Sequence, residues 1–589
     1  MRDRGSYNPY AIVCRRIWGL DHERIQASMK EETAVIEIAE VDKRASWLAM
    51  AIIGLGQALM TFNVSALPVS MSGFVASFDV APTTVGTVIV VHSLSIAAFI
   101  MLGAKLGQIF GSQHVFRISC AVYAVAMAMM TFAHNLGVVF AAQVLAGLAA
   151  SAAVPTFVVL IANSYKGKQQ VEALGLLGGI QALAGMLAFF LGGALDTLAS
   201  WRITYALLIP WALAVVFLSR YLMPLERIPE IKIDWFGALL VACAVIFISL
   251  GFNNLNYWGI LLAKPNVPFR SAGLSPAPVM IVLGVVLIQS FFGWSHRQAA
   301  NGKTPLLALQ VIESPPERSA VLAMLVIVGL GKALTFLMPL YTEIIQGRTS
   351  FQTAIYLIPY QLAVFATAVL IVRLYGILSP RQIARYSFIT VAVGFVGLAI
   401  KFQNEWNDVG VILLLIVIGI GQGALLTLLF NVLVTSSPKR FAGDVGSLRG
   451  TTTNLAGAVG TAIAAALMVS LLTVNIERSL IDHPTLPHEL IKEIDLNNVT
   501  FISNDHLVEG LKGIGIGHEH IVESVRINSD ARLRALRLSL FFLAGLAFVV
   551  IIPAGGLPNY VLGQVPSGHP EVTTERRTIR SRLFRRKSR

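Results

Sequence analysis

The chain has 589 residues, of which 55% are hydrophobic and only 13% charged, with a mean hydropathy of +0.71. A soluble domain cannot hide that much apolar surface at that charge density, because much of its exterior faces water. A bilayer removes the conflict by solvating apolar side chains directly, and backbone groups in hydrocarbon then bond within their own segment, as helices.

The formal net charge of +13 sits in alternate short loops and in the last fourteen residues. That is the pattern of cytoplasmic flanks of membrane helices and not of a recognition face, so no nucleic-acid partner is expected. Cys14, Cys120 and Cys243 lie far apart, with no disulfide framework or zinc spacing.

In chain order, Met1–Ala45 carries eight basic and eight acidic residues and no apolar core of the signal-peptide kind. It is read as a cytoplasmic N-terminal region, with Met29 as an alternative start. Segments of roughly 20 apolar residues, long enough to span a bilayer, follow at Ser46–Ser70, Thr83–Leu106, Val115–Phe132, Val138–Ala162, Val171–Leu195 and Ile203–Leu222. Two more are predicted at Trp235–Phe252 and Val279–Trp294, then six at Ala320–Ile345, Thr353–Val372, Tyr386–Ile400, Val411–Val434, Leu455–Val474 and Leu538–Leu557. This predicts an all-α integral membrane protein of about 14 spans. Its regions are a six-helix bundle at 46–222, a linker with two extra spans at 223–317, a second six-helix bundle at 318–557, and a basic tail at 558–589.

Lys105 and Arg117, Lys166 and Lys168, Arg220 with Arg227 and Lys232, Arg373 with Arg381 and Arg385, and Lys439 with Arg440 fall in alternating loops. All lie on one side, together with the seven arginines of 576–589, if both termini are cytoplasmic. The largest extramembrane segment, 475–534, then lies outside. It holds five of the eleven histidines, His483, His488, His506, His518 and His520, without a further ligand set, so a solvated loop and not a metal site is expected.

Acids are almost absent from the span interiors. Glu172, Asp196, Asp234 and Asp444 lie at ends or in loops; Glu343 is the one carboxylate inside a span, near its outer end, and Lys332 the one basic residue near a span's centre. Eleven residues apart, they are separated by roughly 16 Å of rise and about 20° of rotation on a continuous α-helix, which puts them on one face but out of contact. An intramembrane lysine is a functional-site candidate by default, fitted to an anionic or neutral substrate. His92, in mid-span, is a candidate proton carrier or an inter-helix hydrogen-bonding group. Arg449 is expected to snorkel toward the inner surface. No nucleophile–base pair, metal cluster or phosphate-cradling loop is evident, so no enzyme activity and no cofactor are expected.

Several stretches carry a family likeness: MTFNVSALP at Met60–Pro68, AKLGQIFG at Ala104–Gly111, AGLAASAAVP at Ala146–Pro155, Gly178–Gly193 ending in LGG, SWR at Ser200–Arg202 with Pro210, and FLMPLYTEIIQG at Phe336–Gly347. Together they resemble the major facilitator superfamily, in particular its fourteen-span drug:proton antiporter branch, from about Ser46 to Pro553. The resemblance implies two six-helix bundles that rock about a central site, a small-molecule substrate, efflux by alternating access, protons as the usual coupling ion, and a bacterial inner membrane; a monomer is expected. It places Asn63, Gln143 and Gln181 on cavity-lining helices, and gives Gly111, Gly185, Gly192 and Gly193 packing or gating roles where helices slide past one another. The two extra spans would be peripheral.

The sequence departs from that branch where charge or a kink is usual. Leu59 stands for the first-helix aspartate; Gln108, Ile109, Ser112, Gln113 and His114 stand for the Asp-Arg and basic residues of the loop after the second helix. Gln143 stands for the fourth-helix arginine, and Ala188–Phe189 for the fifth-helix Gly-Pro. A chain without these groups cannot run the family's aspartate–arginine relay. An uncoupled facilitator, and a non-transporting scaffold or receptor, therefore stand beside an exporter as readings.

Overall fold

A computed structural model describes residues 45–79, 82–225, 227, 231–259, 261–263, 267, 273–348, 350–403, 408–437, 441–482, 508, 512 and 518–559. Among them, 14 helices are long and apolar enough to cross a membrane. They are α1 (Leu48–Val69), α2 (Pro82–Phe110), α3 (Ser112–Thr131), α4 (Leu136–Ser164), α5 (Gly167–Leu198), α6 (Trp201–Leu218), α7 (Trp235–Trp258), α8 (Pro276–Ala300), α9 (Pro315–Pro339), α10 (Ser350–Leu370), α11 (Pro380–Lys401), α12 (Asp408–Ser436), α13 (Ala442–Asp482) and α14 (His518–Val549). The helices after Leu48 gather into one compact unit, Ala49–Arg589.

Local chemistry sets many of the helix ends. Asn135, Ser200 and Asp234 accept hydrogen bonds from Val138, Arg202 and Gly237 backbone N–H groups at the starts of α4, α6 and α7. Capping boxes open α9 (Ser314 with Glu317) and α11 (Ser379 with Gln382), each followed by proline at the first helical position. Between α2 and α3 the chain turns at Gly111, whose φ of 88° is one that a side chain would strain. The SWR stretch is explained by three separate contacts. Ser200 caps α6, the Trp201 indole donates to Ser77 Oγ at 2.9 Å, and the Arg202 guanidinium donates to the Ala133 carbonyl at 3.0 Å while lying 4.4 Å from the Trp201 ring.

Three expectations need correction. The thirteenth helix starts at Ala442, ahead of the predicted Leu455, and runs 41 residues to Asp482. The fourteenth starts at His518, ahead of Leu538, so the expected outer loop 475–534 is helical at both edges. His483, His488 and His506 lie outside the described residues, as does the His518 side chain, and no metal-binding group of three occurs among the described residues. Third, α9 does not continue to Ile345 in α geometry: Leu340–Ile345 is a π-helical segment. The 100° step per residue fails there, so the roughly 20° offset between Lys332 and Glu343 on a continuous α-helix does not apply.

The first six helices pack among themselves, chiefly α2 on α4 and α3 on α4 and α6. The last six do likewise, α12 on α10 and α11, α9 on α13, and α14 on α11 and α13. The two groups meet along two seams, α5 against α10 and α12, and α13 against α2 and α4. The extra helix α7 inserts at the second seam, packing on α2 and α13, with α8 outside it. On α8, Val279, Val282 and Val286 are exposed, as lipid-facing side chains are.

Candidate functional site

Helices run alternately, so the connections fall at two ends. One, the basic end, carries Lys105, Lys166, Arg220 and Arg373; the other carries Asp196 and the connection after α13. Between the two helix groups lies a cavity of about 1150 Å³. Its walls combine Phe189, Phe336, Phe351 and Leu357 with amides and hydroxyls of Gln57, Gln181, Gln361 and Asn454, and it extends to Pro68, Asp196 and Pro339 at the end away from Lys105.

The basic end is shut by an ion pair across the second seam. Lys105 Nζ of α2 lies 3.0 Å from Asp444 Oδ1 of α13, both buried, and Gln108 Nε2 approaches Asp444 Oδ2 at 3.5 Å. Small residues let α13 come this close: a Cβ on Gly446 would stand 2.9 Å from Val158 Cγ2 and 3.0 Å from Pro155 Cα. Lys105 thus supplies, one turn earlier, a charge that the resemblance placed around Gln108, and the sequence reading missed its partner because Asp444 read as an end-of-helix residue.

Three of the candidate polar residues line the cavity: Lys332, Gln181 and His92. Lys332 of α9 is exposed to it, with its chain beside Gly457 of α13, where a Cβ would lie 3.6 Å from Lys332 Cγ. His92 is 1% exposed, and its Nδ1 lies 3.2 Å from the Gln143 carbonyl oxygen. A carbonyl only accepts, so Nδ1 carries the proton; Nε2 is then an acceptor, and it has no hydrogen-bond partner.

Two candidates do not reach the cavity. Asn63 and Gln143 are fully buried between α1 and α4 and satisfy each other reciprocally, Asn63 Nδ2 to Gln143 Oε1 at 3.1 Å and Gln143 Nε2 to Asn63 Oδ1 at 3.2 Å. They hydrogen-bond α1 to α4 and do not line the cavity. Glu343 lies in the π segment, its side chain outside the described residues. Among the glycines, Gly193 lines the cavity, Gly185 sits by Ser65 and Gln361 across α1, α5 and α10, and Gly192 faces Thr204 and Ala66.

The structure adds residues to the site. Arg449 does not snorkel: it lines the cavity, with its guanidinium 4.2 Å from the Phe430 ring centre. Asp196 lines the cavity near the mouth. The first extra helix is not peripheral, since Ser249 and Asn253 of α7 form part of the wall. The seam location of α7 was not legible from its hydropathy, but two polar residues at i and i+4 in an apolar span were a usable signal.

A two-group helical bundle around a central cavity, shut at one end and reaching to the other, defines a membrane transport protein. The chain belongs to the Major Facilitator Superfamily, which residues 53–461 match. It is thus a transporter-family protein and not an enzyme. It is 21% identical to the riboflavin transporter RibZ of Clostridioides difficile (strain 630) over 445 residues, covering 73% of this chain and 90% of that one. It is 22% identical to the multidrug efflux pump LfrA of Mycolicibacterium smegmatis over 436 residues, 73% and 82% of the two chains. The solved structure of the human organic anion transporter MFSD10 shares the fold with a TM-score of 0.52 at 12% identity, covering 86% of this chain and 99% of that one.

Proposed function

We propose that the protein is a secondary active exporter of a small solute that works by alternating access in a bacterial cytoplasmic membrane, with both termini inside. The reading is carried by one observation: the Lys105–Asp444 pair closes the basic end beneath a cavity that reaches the opposite end. Lys and Arg cluster at that closed end, the cytoplasmic one by charge bias, so the cavity is in its outward-facing arrangement. Export is supported by the efflux function named for LfrA and by the cephamycin export protein CmcT of Amycolatopsis lactamdurans, 23% identical over 410 residues.

A candidate carrier for a coupling proton in the cavity wall is the His92 imidazole with its unpartnered Nε2. A second reading, an uncoupled facilitator, is favoured by Leu59 and Gln143, which put an apolar side chain and an internally satisfied amide where the related antiporters carry charge.

The test compares intracellular and exported metabolites of cells with and without the gene. Any differential compound is then followed in proteoliposomes with imposed pH gradients. Flux driven by the gradient supports the coupled exporter, and flux indifferent to its collapse supports the facilitator. A protein that moves no such compound under any gradient is a scaffold and not a transporter.

A further inference from the structure

The cavity wall carries two cations, and among the described residues neither is ion-paired. Among the described residues the Lys332 ammonium makes no hydrogen bond and no ion pair, and the Arg449 guanidinium makes only its ring contact with Phe430. The protein's other cation at the seam is treated differently, since Lys105 is paired with Asp444 at 3.0 Å. A solute that enters the cavity displaces water from the two cavity cations, which costs several kcal/mol unless the solute itself replaces that water. Lys332 and Arg449 can therefore take a partner that the described residues do not supply. The remaining titratable groups on the wall are His92, buried and hydrogen-bonded to Gln143, and Asp196, at the mouth.

Position strengthens the case. The Lys332 chain lies against Gly457 of α13, eight residues beyond Arg449, or about 12 Å along the helix. Two long side chains so placed can flank one ligand from α9 and α13. Gln181, Asn454 and Thr453 line the same cavity with polar groups, and Phe189, Phe336 and Phe351 add apolar wall. A cation would meet two like charges here, and a fully apolar ligand would leave both cations unsatisfied.

We propose that Lys332 and Arg449 form the binding site for an organic anion, a carboxylate, sulfonate or phosphate on an apolar or aromatic body. The proposal rests on the transporter reading of the same cavity and names its substrate class.

The test is equilibrium dialysis with the full chain in nanodiscs of zwitterionic lipid, using empty nanodiscs as background. The probes are naphthalene-1-sulfonate and a cation of the same ring, N,N,N-trimethylnaphthalen-1-aminium. Wild type binds the sulfonate and not the cation. Lys332→Met or Arg449→Gln weakens sulfonate binding roughly 10- to 100-fold, the value of one charge-assisted hydrogen bond, and Lys332→Arg keeps it.

Ligand-free Lys332→Met melts at or above the wild-type temperature, because an uncompensated cation has been removed; a merely structural lysine would lower it. The wild-type anion-over-cation preference stands as a test even if a variant folds poorly. No sulfonate binding, equal or tighter cation binding, or sulfonate binding unchanged in both neutral variants overturns the proposal. Binding without flux of the same probe in proteoliposomes leaves the anion site standing and overturns the transporter reading.

Discussion

The two seams between the helix groups solve the same problem with opposite chemistry. Along α5–α10 the glycine contacts are mainly apolar: Gly175 meets Ala368 and Val372, Gly179 meets Phe365 and Val369, and Gly193 meets Phe351, with the Gln361 amide beside Gly185 the polar exception. Along α2–α13 the basic end is clasped by a buried charge pair, and α7 packs on both helices. Small residues without polar groups cost little to slide or pivot, because no hydrogen bond changes. A buried ion pair has two discrete states, made or broken, and breaking it costs several kcal/mol. On the alternating-access reading proposed above, the first seam serves as a pivot and the second as a gate.

The hardest blow to the gate is Asp444→Asn. It leaves Lys105 buried without its counterion and takes about 3 kcal/mol or more from the arrangement closed at the basic end, while the arrangement open there, in which the pair is already broken, is spared. Spin labels at the basic ends of α2 and α13 should report a population with longer separations, and the exchange Lys105→Asp with Asp444→Lys should restore the short one. Distances that stay short in Asp444→Asn would mean that packing, and not charge, closes this seam.

A pivot lesion should behave differently. Gly175→Leu forces a side chain where even a Cβ would stand 3.0 Å from the Ala368 carbonyl oxygen, an overpacking worth roughly 1–3 kcal/mol. If α5 and α10 stay in contact in both arrangements, thermal stability falls while the α2–α13 distance distribution keeps its wild-type proportions. A shifted distribution would show that the first seam also opens.

A lesion inside one group calibrates both. Asn63→Ala strands the buried Gln143 amide at a cost of about 1–3 kcal/mol, with no effect on the spin-label distances. Asn63→Leu together with Gln143→Leu should recover part of the melting temperature, since removing both partners strands neither. Loss of transport in that double variant with normal stability would return the pair to the site.

These contrasts explain what was legible in the sequence. Hydropathy located all fourteen helices because bilayer-length apolar runs have few other uses. It misplaced the start of α13 because Asp444 and Arg449 lower the local average. In the folded chain neither meets lipid: Asp444 is held by Lys105 and Arg449 lies over Phe430 in the cavity. The start of α14 was hidden in the same way by Arg532, Arg534 and Arg537, of which Arg537 donates to the Phe402 carbonyl at 2.6 and 2.9 Å. Lys332 was found from sequence because a mid-span lysine is conspicuous alone. Arg449 was missed because a residue near a helix end can turn toward water or toward the cavity, and only the neighbouring helices decide which. That Asn63 and Gln143 lie off the cavity wall was hidden for a related reason, since membership of a cavity helix does not say which face a residue occupies.

The mildest test concerns what α7 does at the gate. Asn253 donates through Nδ2 to the Ser249 carbonyl at 2.8 Å, which leaves its Oδ1 to the cavity that both residues line. If α7 were only filler, Asn253→Ala and Ser249→Ala would leave the preference among substrates untouched. As part of the wall, each contributes at most one neutral hydrogen bond to a bound solute, worth about 0.5–1.5 kcal/mol, or a few-fold in apparent affinity. Transport of two substrates that differ by one hydroxyl, measured side by side, should show their ratio moving by that factor in Asn253→Ala while the Lys105–Asp444 distances stay put. An unchanged ratio would restrict α7 to sealing the seam, and the gate would then differ from the pivot in its charge pair alone.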